Sequence, residues 1–127
     1  MNILGLPVYA KGQKRKQSRK STVSHLAPLI ERARVRANER EYLDWLKTQP
    51  SALGSGWDYD WELGNVCTPA HWRTAAHAGT SQKPEWLAIP LRDAEHKLAH
   101  QKGDSVIGTR DWWERQCVEH LERWLAS

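Results

Sequence analysis

Residues 70–103, AHWRTAAHAGTSQKPEWLAIPLRDAEHKLAHQKG, constrain the fold of this chain more than any other stretch. Two short strand signals, one helix signal and four of the six histidines fall within it. Val66 to Trp72 reads as a short extended run, and Leu87 to Leu91 as a compact apolar run containing Pro90. Asp93 suits the N-cap of a helix, Glu95 falls in its first turn where a negative charge meets the helix dipole, and Gly103 follows the last turn. The predicted order is strand, loop, strand, helix. On that helix His96 and His100 are four residues apart, so their side chains leave one face with Cβ atoms about 5–6 Å apart and can close on one metal ion. Any histidine-bearing helix face can show such a pair, which says little alone. A third histidine, His71, stands near the end of the preceding strand, and a loop containing Gly79 can return the chain so that His71 faces the helix.

Taken together, Ala70-His71-Trp72-Arg73, Gly79, Lys83-Pro84, Ile89-Pro90-Leu91, His96, His100, and Gly108 with Trp112-Trp113 resemble the ββα-metal, or HNH, endonucleases. The resemblance is strongest to a phage and prophage branch that includes the RecA-dependent recombination-enhancement nucleases. The lead-in Tyr42-Leu43-Asp44-Trp45 to Gln49-Pro50 extends it over roughly residues 40–115. It implies that His71 is the general base that takes a proton from water, and that His96 and His100 hold one divalent metal ion, Mg, Mn, Ni or Zn. Imidazole suits the first task because its unperturbed pKa lies near 6.5. A divalent ion suits the second because charge builds on the phosphate and the leaving oxygen. Arg73, two residues beyond the base on an alternating strand, shares its face and either contacts a phosphate bidentately or closes an ordinary salt bridge.

Three positions depart from the family pattern. Ala70 stands where many relatives place a metal-binding His or Asp. Glu85, Trp86 and Leu87 occupy the neighbourhood of the Asn that gives the motif its middle letter. Pro50-Ser51-Ala52-Leu53-Gly54-Ser55 lacks the paired cysteines that often follow the lead-in, so a second, structural zinc is not expected. These departures support an alternative function, a DNA-binding recombination accessory protein whose nuclease site has decayed. The joint presence of His71, His96 and His100 favours the nuclease.

At 127 residues the chain is long enough for one domain with a modest core. It contains eight Trp and no Phe, so indoles must supply most of the aromatic packing. Trp72 and Trp86, which flank the proposed site, are the exceptions expected to be available for stacking on bases. Cys67 and Cys117 fit neither a disulfide framework nor a cysteine zinc pattern, which implies a reduced, intracellular chain. No apolar run approaches the roughly 18 residues of a membrane span, and MNILGLPVYA does not read as a signal peptide. A location in the cytoplasm of a bacterial host is expected.

The net charge of +4 has one source. Lys11, Lys14, Arg15, Lys16, Arg19 and Lys20 fall within ten residues, and the rest of the chain carries thirteen basic and fifteen acidic side chains. Residues 1–22 therefore read as a flexible basic arm that binds polyanions without sequence preference, and Lys83 adds a cation beside the site; the arm also reads as a solvated tail that aids solubility. Residues 27–47 show a helical stripe through Leu29, Ile30, Ala33, Ala37, Leu43 and Leu46, closed by Pro50. Residues 51–65 read as a loop or hairpin with Asp58, Asp60 and Glu62 alternating. His77, in the glycine-bearing loop after His71, reads first as an exposed residue, with a metal ligand or a phosphate contact as the alternatives. Thr109 can cap a last helix to about Ala126, with Trp113, Cys117, His120, Leu121 and Trp124 on one face and His120 packed rather than ligating. The expected fold is α+β: residues 23–127 form a small ββα-metal core flanked by N-terminal and C-terminal helices. DNA is the expected partner, with a recombinase such as RecA a further candidate; the sequence does not specify an oligomeric state.

Overall fold

The computed structural model describes residues 26–73 and 86–127. The basic arm and Lys83, His77 and Gly79 lie outside the described residues. Among the described residues the architecture is mixed α+β, with four α-helices and two separate antiparallel two-stranded sheets. The helices are α1 (residues 26–36), α2 (Glu39–Leu46), α3 (Asp93–Lys102) and α4 (Arg110–Ala126), and a short 3-10 turn, Asp104–Val106, follows α3. The strands are β1 (Asp58–Asp60) with β2 (Gly64–Val66), and β3 (Thr68–His71) with β4 (Ala88–Leu91). No helix among the described residues is long and apolar enough to cross a membrane.

The β3–β4 hairpin is the centre of the molecule. Every residue of β4 is buried, which explains its continuous apolar reading: α2 and α4 pack against it, while α3 packs on β3. The register pairs Pro69 with Pro90, two residues that cannot donate to a ladder. They therefore stand opposite each other at a non-hydrogen-bonded position, and Pro90 turns its carbonyl outward to accept from Ala52 N at 2.9 Å. By the same alternation Trp72 N bonds Leu87 O at 2.8 Å, and His71, opposite Ala88, falls in the next non-hydrogen-bonded pair. Ala70 and Trp72 point into the core. Pro69 and His71 take the other face.

The structure corrects four local expectations. The single helix over 27–47 is two helices, because Asn38 leaves helical geometry (φ −92°, ψ 165°) and its side chain accepts from Glu41 N at 3.1 Å, starting α2 afresh. The extended run from Val66 to Trp72 is divided at Cys67, whose N–H goes to Lys47 O at 2.9 Å, so its two ends serve different sheets. The N-cap of α3 is Arg92, with Asp93 the first helical residue. Glu95 reaches back to Arg92 N at 2.8 Å, and Asp58 receives Asp93 N at 2.7 Å. Finally, Trp72 and Trp86 are core residues, buried with Tyr42, Leu46, Ile89, Leu121 and Trp124. Among the described residues Trp61 is the most exposed indole, 83% accessible at the tip of the β1–β2 hairpin.

Elsewhere the local physics follows the sequence. Asp60 Oδ1 accepts from Glu62 N and Leu63 N, closing the tight loop of the β1–β2 hairpin, which Gly64 leaves at φ 82°. Thr109 caps α4 through Trp112 N at 3.1 Å. The buried face of α4 is Trp113, Cys117, His120, Leu121 and Trp124. His120 holds Gln116 O at 2.7 Å through Nδ1, and burial pushes its pKa down, as suits a packed neutral imidazole. At the far end of α4, Arg36 from α1 donates to Trp124 O and lies 4.8 Å from the Trp124 ring centroid.

Candidate active site

One cleft collects His71, His96 and His100. It has a volume of about 440 Å³ and is walled by Glu39, Arg40 and Asp44 from α2 with Lys47 at its C-cap, by His71 at the end of β3 and Arg73 just beyond it, and by His96 and His100 from α3. A neighbouring lobe of about 470 Å³ shares His71, Arg73, His96 and His100 and runs on to Asp104 and Trp113. His71 and His96, 25 positions apart in sequence, are thus brought together by the packing of α3 on β3. His71 and Arg73 line both lobes, consistent with the shared face expected from their spacing.

α3 is held in place by carboxylates rather than by apolar packing, since Ala99 is its only buried residue. Glu95 accepts from Ser51 Oγ at 2.7 Å, Ser55 Oγ at 2.6 Å and Arg92 N. Burial alone would raise the Glu95 pKa, but these three hydrogen bonds and the Arg92 charge outweigh it and hold the carboxyl below its ordinary range. Asp58 is likewise lowered, by the Asp93 backbone N–H and by Arg92, whose Nε lies 3.1 Å away. The residue after Glu95 is His96, so this network fixes the rotational setting of the histidine pair.

His96 is half-buried and His100 exposed, and their Nε2 atoms converge to 3.0 Å. Two imidazole nitrogens at about 2.0–2.1 Å from a tetrahedral ion would stand roughly 3.3 Å apart. The pair fits a shared ion after an adjustment of a few tenths of an ångström. Among the described residues, no group of three or more His, Cys, Asp or Glu side chains is gathered closely enough to hold a metal.

His71 has a partner that sequence reasoning missed. Its Nε2 lies 3.2 Å from Glu39 Oε2, and the same oxygen accepts from Trp86 N at 2.7 Å. Trp86 adopts a left-handed backbone (φ 70°), a conformation that costs a non-glycine residue about 1–2 kcal/mol. The Glu39 bond and burial of the Trp86 indole hold it there. The visible signal for Glu39 was Asn38 followed three residues later by Glu41, an N-cap pattern that restarts a helix and places position 39 in its first turn. Asp104 was also missed: its carboxylate accepts from Arg73 N at 3.1 Å and its carbonyl from Trp113 Nε1 at 2.9 Å, tying the end of β3 to α4.

No protein-family model, curated protein or solved structure matches this chain. The functional reading therefore rests on the residues and their geometry.

Proposed function

We propose that this protein is a metal-dependent endonuclease with an HNH-like ββα core, cutting phosphodiester bonds in phage or prophage DNA. The observation that carries the reading is the cleft in which His71, at the end of β3, faces an α3 wall bearing His96 and His100. The order of β3, β4 and α3, and the resemblance of their motifs to HNH enzymes, support it. His96 and His100 hold the divalent ion, which when bound supplies positive charge against the phosphate and the leaving oxygen.

The chain's own residues do the rest. His71 accepts a proton as water oxygen forms its bond to phosphorus, the bond from phosphorus to the leaving sugar oxygen breaks, and that oxygen is protonated from solvent. Arg73 contacts the phosphate from the same face as the base. Lys11, Lys14, Arg15, Lys16, Arg19, Lys20 and Lys83 add affinity for the DNA backbone that is independent of sequence and weakens with salt. Such an enzyme works in the cytoplasm of the bacterial host, with a recombinase such as RecA as a candidate partner.

Conversion of supercoiled plasmid to nicked circles, measured separately with Mg, Mn, Ni and Zn and with EDTA, tests the proposal. Nicking with at least one ion and none in EDTA is the expected result. DNA binding without nicking under any of these ions would replace it with the accessory-protein reading.

A further inference from the structure

Among the described residues, the Glu39 carboxylate is the cleft group hydrogen-bonded to the His71 ring. A carboxylate oxygen only accepts, so the 3.2 Å approach of His71 Nε2 requires the proton to sit on Nε2. Nδ1 is then the remaining nitrogen with a free lone pair. Neither partner is freely mobile: the His71 side chain is 16% accessible and that of Glu39 27%. Glu39 Oε2 is also anchored by the Trp86 N–H, and Glu39 itself is set at the start of α2 by the Asn38 cap.

We infer that Glu39 is a positioning residue for His71, fixing the imidazole with its proton on Nε2 so that Nδ1 is the atom that takes the proton from water. The inference rests on the nuclease reading for its chemistry, and on the contact alone for its geometry. A carboxylate behind an imidazole orients the ring and selects the tautomer. Glu39 does not touch substrate in this scheme. Its effect passes through His71.

Both hydrogen bonds use a single oxygen, which makes Glu39→Gln an informative variant: an amide oxygen can accept from His71 and from Trp86 N, keeping the clamp on the backbone while removing the charge. Glu39→Ala removes both.

The test is NMR of the full chain labelled with 15N-histidine, with His71→Ala used for assignment, together with single-turnover cleavage. The wild type is expected to show a downfield, slowly exchanging His71 Nε2–H proton. That proton should move upfield in Glu39→Gln and disappear into solvent exchange in Glu39→Ala. The cleavage rate of saturated complex should fall roughly 10-fold or more in Glu39→Gln, within the range spanned by loss of a positioned base, with DNA affinity unchanged. Glu39→Asp should recover part of the rate only where it recovers the Nε2–H signal.

A His71 N–H signal unaffected by Glu39→Ala would overturn the contact. A Glu39→Gln enzyme cutting at the wild-type rate while His71→Ala is inactive would overturn the positioning role. Failure of the wild type to cut would sink the nuclease reading and the role with it, while the NMR comparison would still decide the contact, so the two failures are distinguishable.

Discussion

Replacing Tyr42 by Phe should make this protein more stable, a reversal of the usual effect of altering a fully buried residue. Tyr42 has no accessible surface and lies in an aromatic cluster, with ring centroids 6.0 Å from Trp45, 5.8 Å from Trp86 and 5.1 Å from Trp124. Its hydroxyl is buried and finds no hydrogen-bond partner among the described residues. Burial accordingly pushes the phenol far above its ordinary pKa range.

An unsatisfied buried hydroxyl costs about 1–3 kcal/mol. Removing it opens a void of about 10 Å³, which at about 24 cal/mol per Å³ returns only about 0.2 kcal/mol of that cost. At roughly 4 °C per kcal/mol for a chain of this length, Tm should rise by about 3–10 °C. Thermal unfolding followed by circular dichroism measures it. The ring contacts that seat Trp86 beneath Glu39 are kept in Phe, so cleavage should be unchanged. A Tm equal to or below that of the wild type would refute the reasoning, because it would mean that the hydroxyl has an acceptor inside the cluster.

Two further outcomes follow from named contacts. The pKa of buried His120 is lowered by desolvation, so the unfolded chain binds a proton that the folded one refuses. Stability is therefore fully present above the unperturbed imidazole value near 6.5 and is lost as pH falls below it toward the folded value. Urea midpoints should drop between about pH 7.5 and 5.5, and His120→Leu should show a shallower drop; equal slopes would show that His120 is not the group responsible. Asn38→Ala should cost about 1 kcal/mol through loss of the cap on α2. Because it also loosens Glu39, it should weaken the His71 Nε2–H signal, whereas a capping change without that loss would separate the helix start from the site.

The legible parts of this fold were those set by local chemistry. The apolar run Leu87 to Leu91 signalled a strand, which the structure buries throughout, Gly103 (φ 95°) ends α3, and the side-chain oxygen of Thr109 starts α4. That His71 and Arg73 would share one face, and His96 and His100 another, was legible because alternation on a strand and four-residue spacing on a helix determine which side chains point the same way, and all four line one cleft. Ala37 hid the break between α1 and α2, since a small apolar residue continues the helical stripe even where Asn38 turns the backbone out of it. Glu39 was hidden for a different reason. Its partners are 32 and 47 residues away, and no periodicity encodes a carboxylate that reaches across a cleft to a histidine and a backbone N–H. Trp72 and Trp86 looked like site residues from proximity in sequence, but alternation from His71 turns Trp72 inward, and the left-handed backbone at Trp86 accompanies an indole buried beside Tyr42 and Trp124.

Calorimetric metal titration paired with single-turnover cleavage, on the wild type, His71→Ala and His96→Ala, tests the division of labour in the cleft most directly. His71→Ala should bind the ion and DNA as the wild type does while losing about 10²–10⁴-fold in rate, the contribution of a positioned proton acceptor. His96→Ala should lose the ion itself. If His71→Ala instead abolished metal binding as completely as His96→Ala, His71 would be a ligand rather than the base, contradicting the account.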